Sequence, residues 1–283
     1  MNGIMSQVIY LSSSAHSEWR EPVKTQYRDD VRAVFVGPCE QHGLSDAMGS
    51  PGDLKSGHKL RITQMLSKSD ILFCYIPDDH YRSFNVMLEI GIARAWGRRI
   101  LLVNEARSLN GELKCVQPYV DESFDSLTAG LDRLHEYITG SEGLISRTSS
   151  MPVPEVEQRS VTPGILEHKV FLSGSNDSTW LDSVRARYRQ NRAVKLIDSV
   201  DLSVLSRSDL LFACRTSGEG RLFNLPLAVG YASALNKRIL FVNKGDCYSH
   251  AYDYIKPFSD GYFIELDEGL RFLDYAMGIE ERL

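Results

Sequence analysis

The sequence predicts an α/β fold made of two tandem Rossmann-like (flavodoxin-like) units, each a parallel sheet flanked by helices. Residues 69–104 match residues 208–243 without a gap, and 16 of the 36 positions are identical. Upstream, residues 8–28 match residues 169–189, with tryptophan and tyrosine at equivalent places. Each copy also alternates short apolar, β-rich runs with helical patterns, which is typical of a parallel sheet with right-handed crossovers.

The spacing of the two matched blocks locates an insertion in the first copy. The earlier block is offset by 161 residues and the later one by 139, so the first copy holds 22 additional residues at 37–58. That stretch is rich in Gly, Ser, Asp and His, and it predicts a long loop of the kind that often carries function. A Ser-, Pro- and Gly-rich stretch predicts a linker, which divides the chain into domains at 1–140 and 167–283 joined by 141–166.

Individual elements follow from the apolar periodicity. In the first copy we expect strands at 8–12, 32–36, 71–76 and 99–104, and helices from Ser17 to about Arg28, at 60–67, at 84–96 and from about 124 to 138. Ligands of such sheets bind outside the carboxyl ends of the strands. The candidate binding edge therefore comprises Ser12–Ser14, the 37–58 loop and residues 77–83.

Composition limits the function classes. The net charge of −5 argues against a nucleic-acid binder, which needs a basic face. The five cysteines are odd in number and scattered, so we expect free thiols, with Cys74 and Cys214 in the core. No short-range His or Cys pair suggests a metal site, and neither a signal peptide nor a membrane-spanning run is predicted. A cytoplasmic protein with no metal and no cofactor is the resulting expectation.

Glu89 is the main catalytic candidate. It lies between Leu88 and Ile90 on an apolar helix, where a carboxylate is costly unless it is paired or used. The structural alternative is an acidic residue favoured by the dipole of an early helix turn. The repeat provides an internal control, because the second copy has Ala228 at this position and the fold therefore does not require a carboxylate there. The joint loss of the carboxylate and the polar loop predicts a catalytically inactive second copy.

Other candidates have open alternatives. Small residues Ser12, Ser13 and Ser14 allow backbone amides to approach a phosphate or carboxylate, although such turns are common. Asp78 either holds sugar hydroxyls or is a solvated loop acid. Asn85 matches Asn224, so a helix cap and a ligand contact are both open.

Matched positions in the two copies favour structural roles. Asp70 and Asp209 occur in both copies, which indicates a structural rather than a catalytic role. Gly91 and Gly230 match at a mid-helix position and suggest close helix–sheet packing.

The stretch from Tyr75 to Gly91, with its acidic-apolar-Gly helix signature, resembles the nucleoside 2-deoxyribosyltransferase superfamily. The resemblance covers Ile9–Tyr10, Ser69–Asp70, Tyr75–Asp78 and Glu89–Ala93. It implies that Glu89 attacks the anomeric carbon of a sugar and expels the base, and that the Tyr10 side chain touches Glu89. The chain departs from the pattern at Ser83, where the transferases carry an aspartate.

A closer resemblance is to the YtoQ family, whose motifs read like HSxWRE, FVGP and HxxSDxxG. In this chain the motifs fall at residues 16–21, at 35–38 and at His42, Ser45, Asp46 and Gly49. The resemblance covers nearly all of the first copy and adds Gly37, Pro38, His42 and Ser45 to the candidate substrate-binding residues. Members of this family have Asp where Glu89 stands, so the key carboxylate is closer to the transferases.

Three functional hypotheses follow. The first is an enzyme that cleaves or transfers at the N-glycosidic bond of a nucleoside or nucleotide. Here Glu89 is the nucleophile, Tyr10 orients it, and Asp46 either protonates the leaving base or binds the sugar. The second is a non-catalytic nucleotide sensor, and the third is a scaffold without a ligand. Because the active sites of the resembling family form between subunits, we expect either a homodimer or an intramolecular pseudo-dimer.

Overall fold

The structure is a computed structural model of the 283-residue chain. It describes residues 6–13, 18–37, 54–77, 83–140, 167–217, 221–245 and 252–279. The predicted linker at 141–166 lies outside this part of the chain, so the domain boundaries remain a prediction.

The first unit is a five-stranded parallel sheet in the order β2-β1-β3-β4-β5. Its strands are β1 (Gln7–Ser12), β2 (Ala33–Val36), β3 (Ile71–Ile76), β4 (Arg99–Asn104) and β5 (Glu122–Phe124). Its helices are α1 (Arg20–Gln26), α2 (Leu54–Lys68), α3 (Phe84–Ala95) and α4 (Leu127–Thr139). All six residues of β3 are buried, as a central strand covered on both faces requires.

The second unit repeats this topology. Its strands are β6 (His168–Gly174), β7 (Val194–Asp198), β8 (Leu210–Arg215), β9 (Arg238–Asn243) and β10 (Gly261–Phe263). They form a second parallel sheet with the order β7-β6-β8-β9-β10, and α5 (Ser178–Tyr188), α6 (Asn224–Ala234) and α7 (Leu266–Met277) flank it. The predicted fold class, two α/β units with the same topology, is thus confirmed.

Several predicted element boundaries change in the structure. The helix expected at 60–67 begins earlier, at Leu54, so the last part of the expected 37–58 loop is helical. Helix α1 begins at Arg20 rather than at Ser17, which lies outside the described residues. The last helix begins at Leu127 because Phe124 belongs to β5, a strand that the pattern did not predict.

The two units share one hydrophobic core. One face of the first sheet packs on α1 and α4, whereas the other face, with α2 and α3, joins a cluster that extends to Phe171, Phe241 and helix α6 of the second unit. Cys74 and Cys214 are buried free thiols, as expected. In the part of the chain that the structure describes, no helix is long and apolar enough to cross a membrane.

Helices α3 and α6 cross at their matched glycines. A Cβ added to Gly91 would lie 2.1 Å from the carbonyl oxygen of Leu227, and one added to Gly230 would lie 2.0 Å from that of Leu88. The expectation that these glycines serve helix–sheet packing is therefore wrong. They allow two helix backbones, one from each unit, to touch.

The matched aspartates have the structural role expected of them. Asp70 accepts a hydrogen bond of 2.8 Å from the amide of Val8, and Asp209 accepts one of the same length from the amide of Lys169. In each unit the carboxylate thus ties the first strand to the start of the third. This equivalence extends the similarity of the two units to single hydrogen bonds.

Candidate active site

The candidate site lies where the strand order of the first sheet reverses. Strand β1 pairs with β2 on one side and with β3 on the other, which makes the carboxyl ends of β1 and β3 the switch point of the sheet. Ligands of flavodoxin-like sheets bind at this point. Ser12 ends β1, and helix α3, which follows β3, brings Glu89 to the same place.

Glu89 is held by two side chains of β1. The Tyr10 hydroxyl donates a hydrogen bond of 2.9 Å to Glu89 Oε1, and the Ser12 hydroxyl donates one to Oε2. Tyr10 and Ser12 are fully buried, and Glu89 is only 1% exposed. Because alternate residues of a strand point to the same face, Tyr10 and Ser12 reach one carboxylate together. The structure therefore shows the predicted contact between Tyr10 and Glu89 and adds Ser12 to it.

Burial raises the pKa of Glu89 to about 7, and three groups oppose this effect. The hydrogen bonds from Ser12 and Tyr10 lower the pKa because they stabilise the carboxylate, and the positive charge of Arg20 does the same. The dipole of α3 contributes little at Glu89, because Glu89 is the sixth residue of the helix and the dipole acts within the first turn. Neighbouring side chains, not the helix, favour the ionised form.

Arg20 is a functional candidate that the sequence reasoning missed. It is fully buried, and it donates hydrogen bonds from Nε to the Leu11 carbonyl at 3.2 Å and from Nη2 to the Ser13 carbonyl at 3.1 Å. It thus fixes the backbone on both sides of Ser12 while its charge acts on Glu89. The signal was present in the repeat, where the equivalent position is Leu181.

Asn85 and Gly37 support the same edge. The Asn85 amide donates a hydrogen bond of 3.2 Å to the Ser13 carbonyl, and Asn224 makes the equivalent bond to Gly174 in the second unit. A Cβ on Gly37 would lie 3.0 Å from the Leu11 carbonyl oxygen, so the chain after β2 runs close to β1. Asn85, Gly37, Ser12 and Ser13 remain predicted substrate contacts.

Six predicted site residues lie outside the described residues, namely Ser14, Pro38, His42, Ser45, Asp46 and Asp78. Their roles stay predictions. Among the side chains that the structure describes, no group of three His, Cys, Asp or Glu residues is arranged to hold a metal ion.

The second unit has apolar residues at the three positions that form the charged centre of the first. Ala228 replaces Glu89, Phe171 replaces Tyr10 and Leu181 replaces Arg20. Ala228 and Phe171 are buried in the shared core, so the same backbone arrangement exists without the polar network. The network is therefore not a requirement of this fold.

The second unit also packs against the elements that carry the site. Tyr252 lies 4.9 Å, between ring centroids, from Phe84, the first residue of α3, and Phe223 lies 5.5 Å from the same ring. The Lys59 ammonium of α2 lies 5.6 Å from the ring centroid of Phe258. The start of α3 and part of α2 are thus covered by the second unit within one chain.

The fold and the site together define a class. This is a doubly wound α/β protein with a buried carboxylate, held by a tyrosine and a serine, at the switch point of a parallel sheet. Residues 10–123 match the model of a family described as nucleoside 2-deoxyribosyltransferase YtoQ. The matched range begins at Tyr10 and contains Glu89, so the resemblance inferred from the motifs is confirmed for the first unit.

Two individual proteins are similar to the chain. The uncharacterised protein YtoQ of Bacillus subtilis (strain 168) is 26% identical over 123 residues, which cover 39% of this chain and 82% of the relative. Among solved structures, aspartate transcarbamoylase from Trypanosoma cruzi in complex with carbamoyl phosphate is 12% identical. That alignment covers 98% of this chain and 84% of the other, but its TM-score of 0.24 is too low to indicate a shared fold.

Proposed function

We propose that this protein cleaves or transfers at the N-glycosidic bond of a nucleoside or nucleotide, with Glu89 as the nucleophile. The observation that carries the proposal is the Tyr10–Glu89–Ser12 network at the switch point, together with its apolar counterpart in the second unit. A buried carboxylate is costly to a fold, and the second unit shows that this fold does not need it. The family match supports nucleoside chemistry as the class of reaction.

The chemistry follows from an ionised Glu89. One carboxylate oxygen forms a bond to the anomeric carbon while the bond from that carbon to the base nitrogen breaks, and the base leaves with the electron pair. A proton reaches the departing base from Asp46 or from solvent. Water or a second base then attacks the same carbon and releases Glu89 as a carboxylate, which gives a hydrolase in the first case and a transferase in the second.

Tyr10 and Ser12 orient the nucleophile for this step. Both donate to Glu89, so they fix the carboxylate and favour its charged form. Arg20 maintains the backbone that places both donors.

The packing of the second unit on α2 and α3 supports an intramolecular pseudo-dimer. Tyr252 and Phe258 occupy the side of the site that a neighbouring subunit would cover in a homodimer of single units. The proposal is therefore one reactive site per chain.

A chromatographic screen for free base tests the function. Ribo- and deoxyribonucleosides and their monophosphates are incubated with the wild type and with Glu89→Ala and Glu89→Gln variants. We expect base release by the wild type, with or without an added second base, and its loss in both variants. No release from any substrate under either condition would contradict the enzymatic proposal.

The alternative is a nucleotide sensor that binds without turnover. The observation that favours it is Ser83, which stands where the resembling transferases have an aspartate; it is buried at the start of α3 and makes no side-chain cap. Nucleotide binding without base release in the same screen would select this alternative.

A further inference from the structure

A large cleft lies in the second unit, at the edge that corresponds to the candidate active site. Its volume is about 1010 Å³, and it is lined by Ser173 near the end of β6 and Ser175 just after the strand, by Asp198 and Leu202, and by residues at the start of α6. This is the switch point between β6 and β8, where sheets of this type bind ligands. The volume is sufficient for a molecule of nucleotide size.

The cleft opens where the second unit lacks the insertion. The 22 residues at 37–58 of the first copy have no counterpart in the second, and the junction falls at Asp198. Asp198 lines the cleft, and so does the start of the short 3₁₀ segment Leu202–Arg207. This segment follows Asp198 at the place where the first unit has the longer α2. The second unit therefore keeps a cleft at this edge although it lacks the 22-residue insertion.

The first unit completes the wall of this cleft. Tyr119 donates a hydrogen bond of 2.7 Å to the Val200 carbonyl and accepts one of 3.0 Å from the amide of Leu202. These bonds anchor the first unit beside the cleft, and Lys114 and Arg94 line it from the same side. The arrangement mirrors the way in which Tyr252 and Phe258 cover the site of the first unit.

Groups suited to binding are retained in the second unit, whereas groups suited to reaction are lost. Ser173 and Ser175 match Ser12 and Ser14, and Arg221 matches Arg82. In contrast with buried Ser12, Ser173 is partly exposed to the cleft, and its hydroxyl has no hydrogen-bond partner among the described residues.

The lining has the chemistry of a nucleotide site. Tyr119 and Tyr231, both partly exposed, provide aromatic surface against which a base can stack. Arg221 and Lys114 provide cations for a phosphate, and among the described residues Lys114 forms no ion pair. Three acids also line the cleft, namely Glu112, Asp198 and Asp201. Asp198 pairs with an arginine of α5, and Asp201 caps the 3₁₀ segment.

We infer that the cleft of the second unit binds a nucleoside monophosphate and does not cleave it. The class of ligand rests on the proposed function of the first unit, whereas the existence of the site rests on the cleft itself. With Ala228 in place of the carboxylate and Phe171 in place of the tyrosine, the cleft lacks the equivalent of the Glu89 nucleophile. The second unit is then a binding site joined to a reactive one through the α3–α6 contact.

Calorimetric titration with nucleoside monophosphates tests the inference in a Glu89→Gln background, which prevents turnover. Adding Ser173→Trp, which places a bulky side chain at the switch point of the cleft, is expected to remove one bound nucleotide per chain. Arg221→Ala is expected to weaken the same binding about tenfold or more, whereas Arg192→Ala, an exposed arginine near the start of β7, leaves it unchanged. Nucleosides and inorganic phosphate, titrated separately, are each expected to bind more weakly than the monophosphate.

Two results would overturn the inference. In the first, Ser173→Trp and Arg221→Ala both leave the binding isotherm of the monophosphate unchanged. In the second, Arg192→Ala weakens monophosphate binding as much as Arg221→Ala does. If Ser173→Trp fails to fold, the comparison of Arg221→Ala with Arg192→Ala still decides. The outcome is separate from that of the proposed function. Base release with no cleft binding contradicts only this inference, and cleft binding with no base release contradicts only the function.

Discussion

The Tyr10 hydroxyl meets the Glu89 carboxylate at 2.9 Å although the two residues are 79 positions apart in the chain. The contact forms because β1 and β3 are neighbours in the sheet and Glu89 lies on the helix that follows β3. Phe171 and Ala228, the equivalent pair in the second unit, cannot make it. The predictions below use this internal comparison to separate chemistry from fold.

Tyr10→Phe introduces the residue that the second unit already has. The fold is expected to accept it, while Glu89 loses a hydrogen bond that lowers its pKa. A hydrogen bond to a charged group contributes about 1.5–3 kcal/mol, so kcat is expected to fall roughly ten- to hundredfold. Steady-state base release from about pH 5 to 9 would show the lower rate and an acid limb moved to higher pH. An unchanged pH profile would contradict the role assigned to Tyr10.

The wild-type rate is expected to depend on the ionisation of Glu89. The nucleophile must be charged, and its pKa is raised to about 7, so kcat should decline as the pH falls below that value. An ordinary exposed glutamate would remain active to about pH 4.3. A rate that stays constant down to such low pH would show that Glu89 is not the titrating nucleophile.

The free energy of unfolding should depend on pH through Glu89, and it should fall as the pH rises. The raised pKa means that folded protein holds the Glu89 proton more tightly than unfolded protein does. The stabilisation is fully present below the unfolded value of 4.5 and is lost as the pH rises through about 7. Relative to Glu89→Gln, the wild type is therefore expected to lose on the order of 3 kcal/mol across this window. Urea unfolding of both proteins at several pH values measures the difference. A wild type that keeps or gains stability relative to Glu89→Gln as the pH rises through this window would contradict the assignment.

Arg20 is expected to act on the reaction through Glu89 and the β1 backbone. Arg20→Leu, which copies the second unit, removes a charge that lowers the pKa of Glu89, so the acid limb should move to higher pH and kcat should fall. Arg20→Lys keeps the charge but not the two hydrogen bonds to backbone carbonyls. Compared with Arg20→Leu, it should bring the pH of the acid limb close to the wild-type value while kcat stays below that of the wild type. A purely structural arginine would lower the amount of folded enzyme without moving the limb.

Gly91→Ala should destabilise the protein although alanine is the better helix former. The added Cβ would lie 2.1 Å from the Leu227 carbonyl oxygen, and overpacking of this kind costs about 1–3 kcal/mol. Gly111→Ala is the control, because its Cβ would meet nothing within 4 Å. Thermal unfolding is expected to show a lower Tm for the first variant only. Equal Tm values would mean that α3 and α6 do not touch in solution.

The sequence was a sufficient guide to the topology because the repeat and the apolar periodicity report on it directly. Tyr10 and Glu89 were also paired correctly, through the family resemblance and the contrast with Ala228. The start of α2 was missed, since the polar stretch around Gly57 resembles a loop and lacks an apolar stripe. Helix α2 packs in the core that the two units share, through Ile62 and Leu66, and a local pattern does not reveal such contacts.

Two further errors have the same physical origin. The matched Gly91 and Gly230 correctly indicated a close approach, but the sequence does not say whether a sheet or another helix approaches. Arg20 was not singled out because a charged residue in a short amphipathic helix usually faces solvent. Both assignments depend on tertiary contacts. In both cases the sequence offered one indication, the equivalent residue of the second copy, which is Gly230 for Gly91 and Leu181 for Arg20.

The central claim is tested most directly by locating the sugar during turnover. Wild type and Glu89→Gln are mixed with the substrate that the base-release screen identifies, quenched with acid within the first turnover, and digested for peptide mass spectrometry. We expect the sugar to be attached to Glu89 in the wild type and no adduct in the variant. Base release at an undiminished rate from Glu89→Gln, or a sugar attached to another residue, would contradict the account.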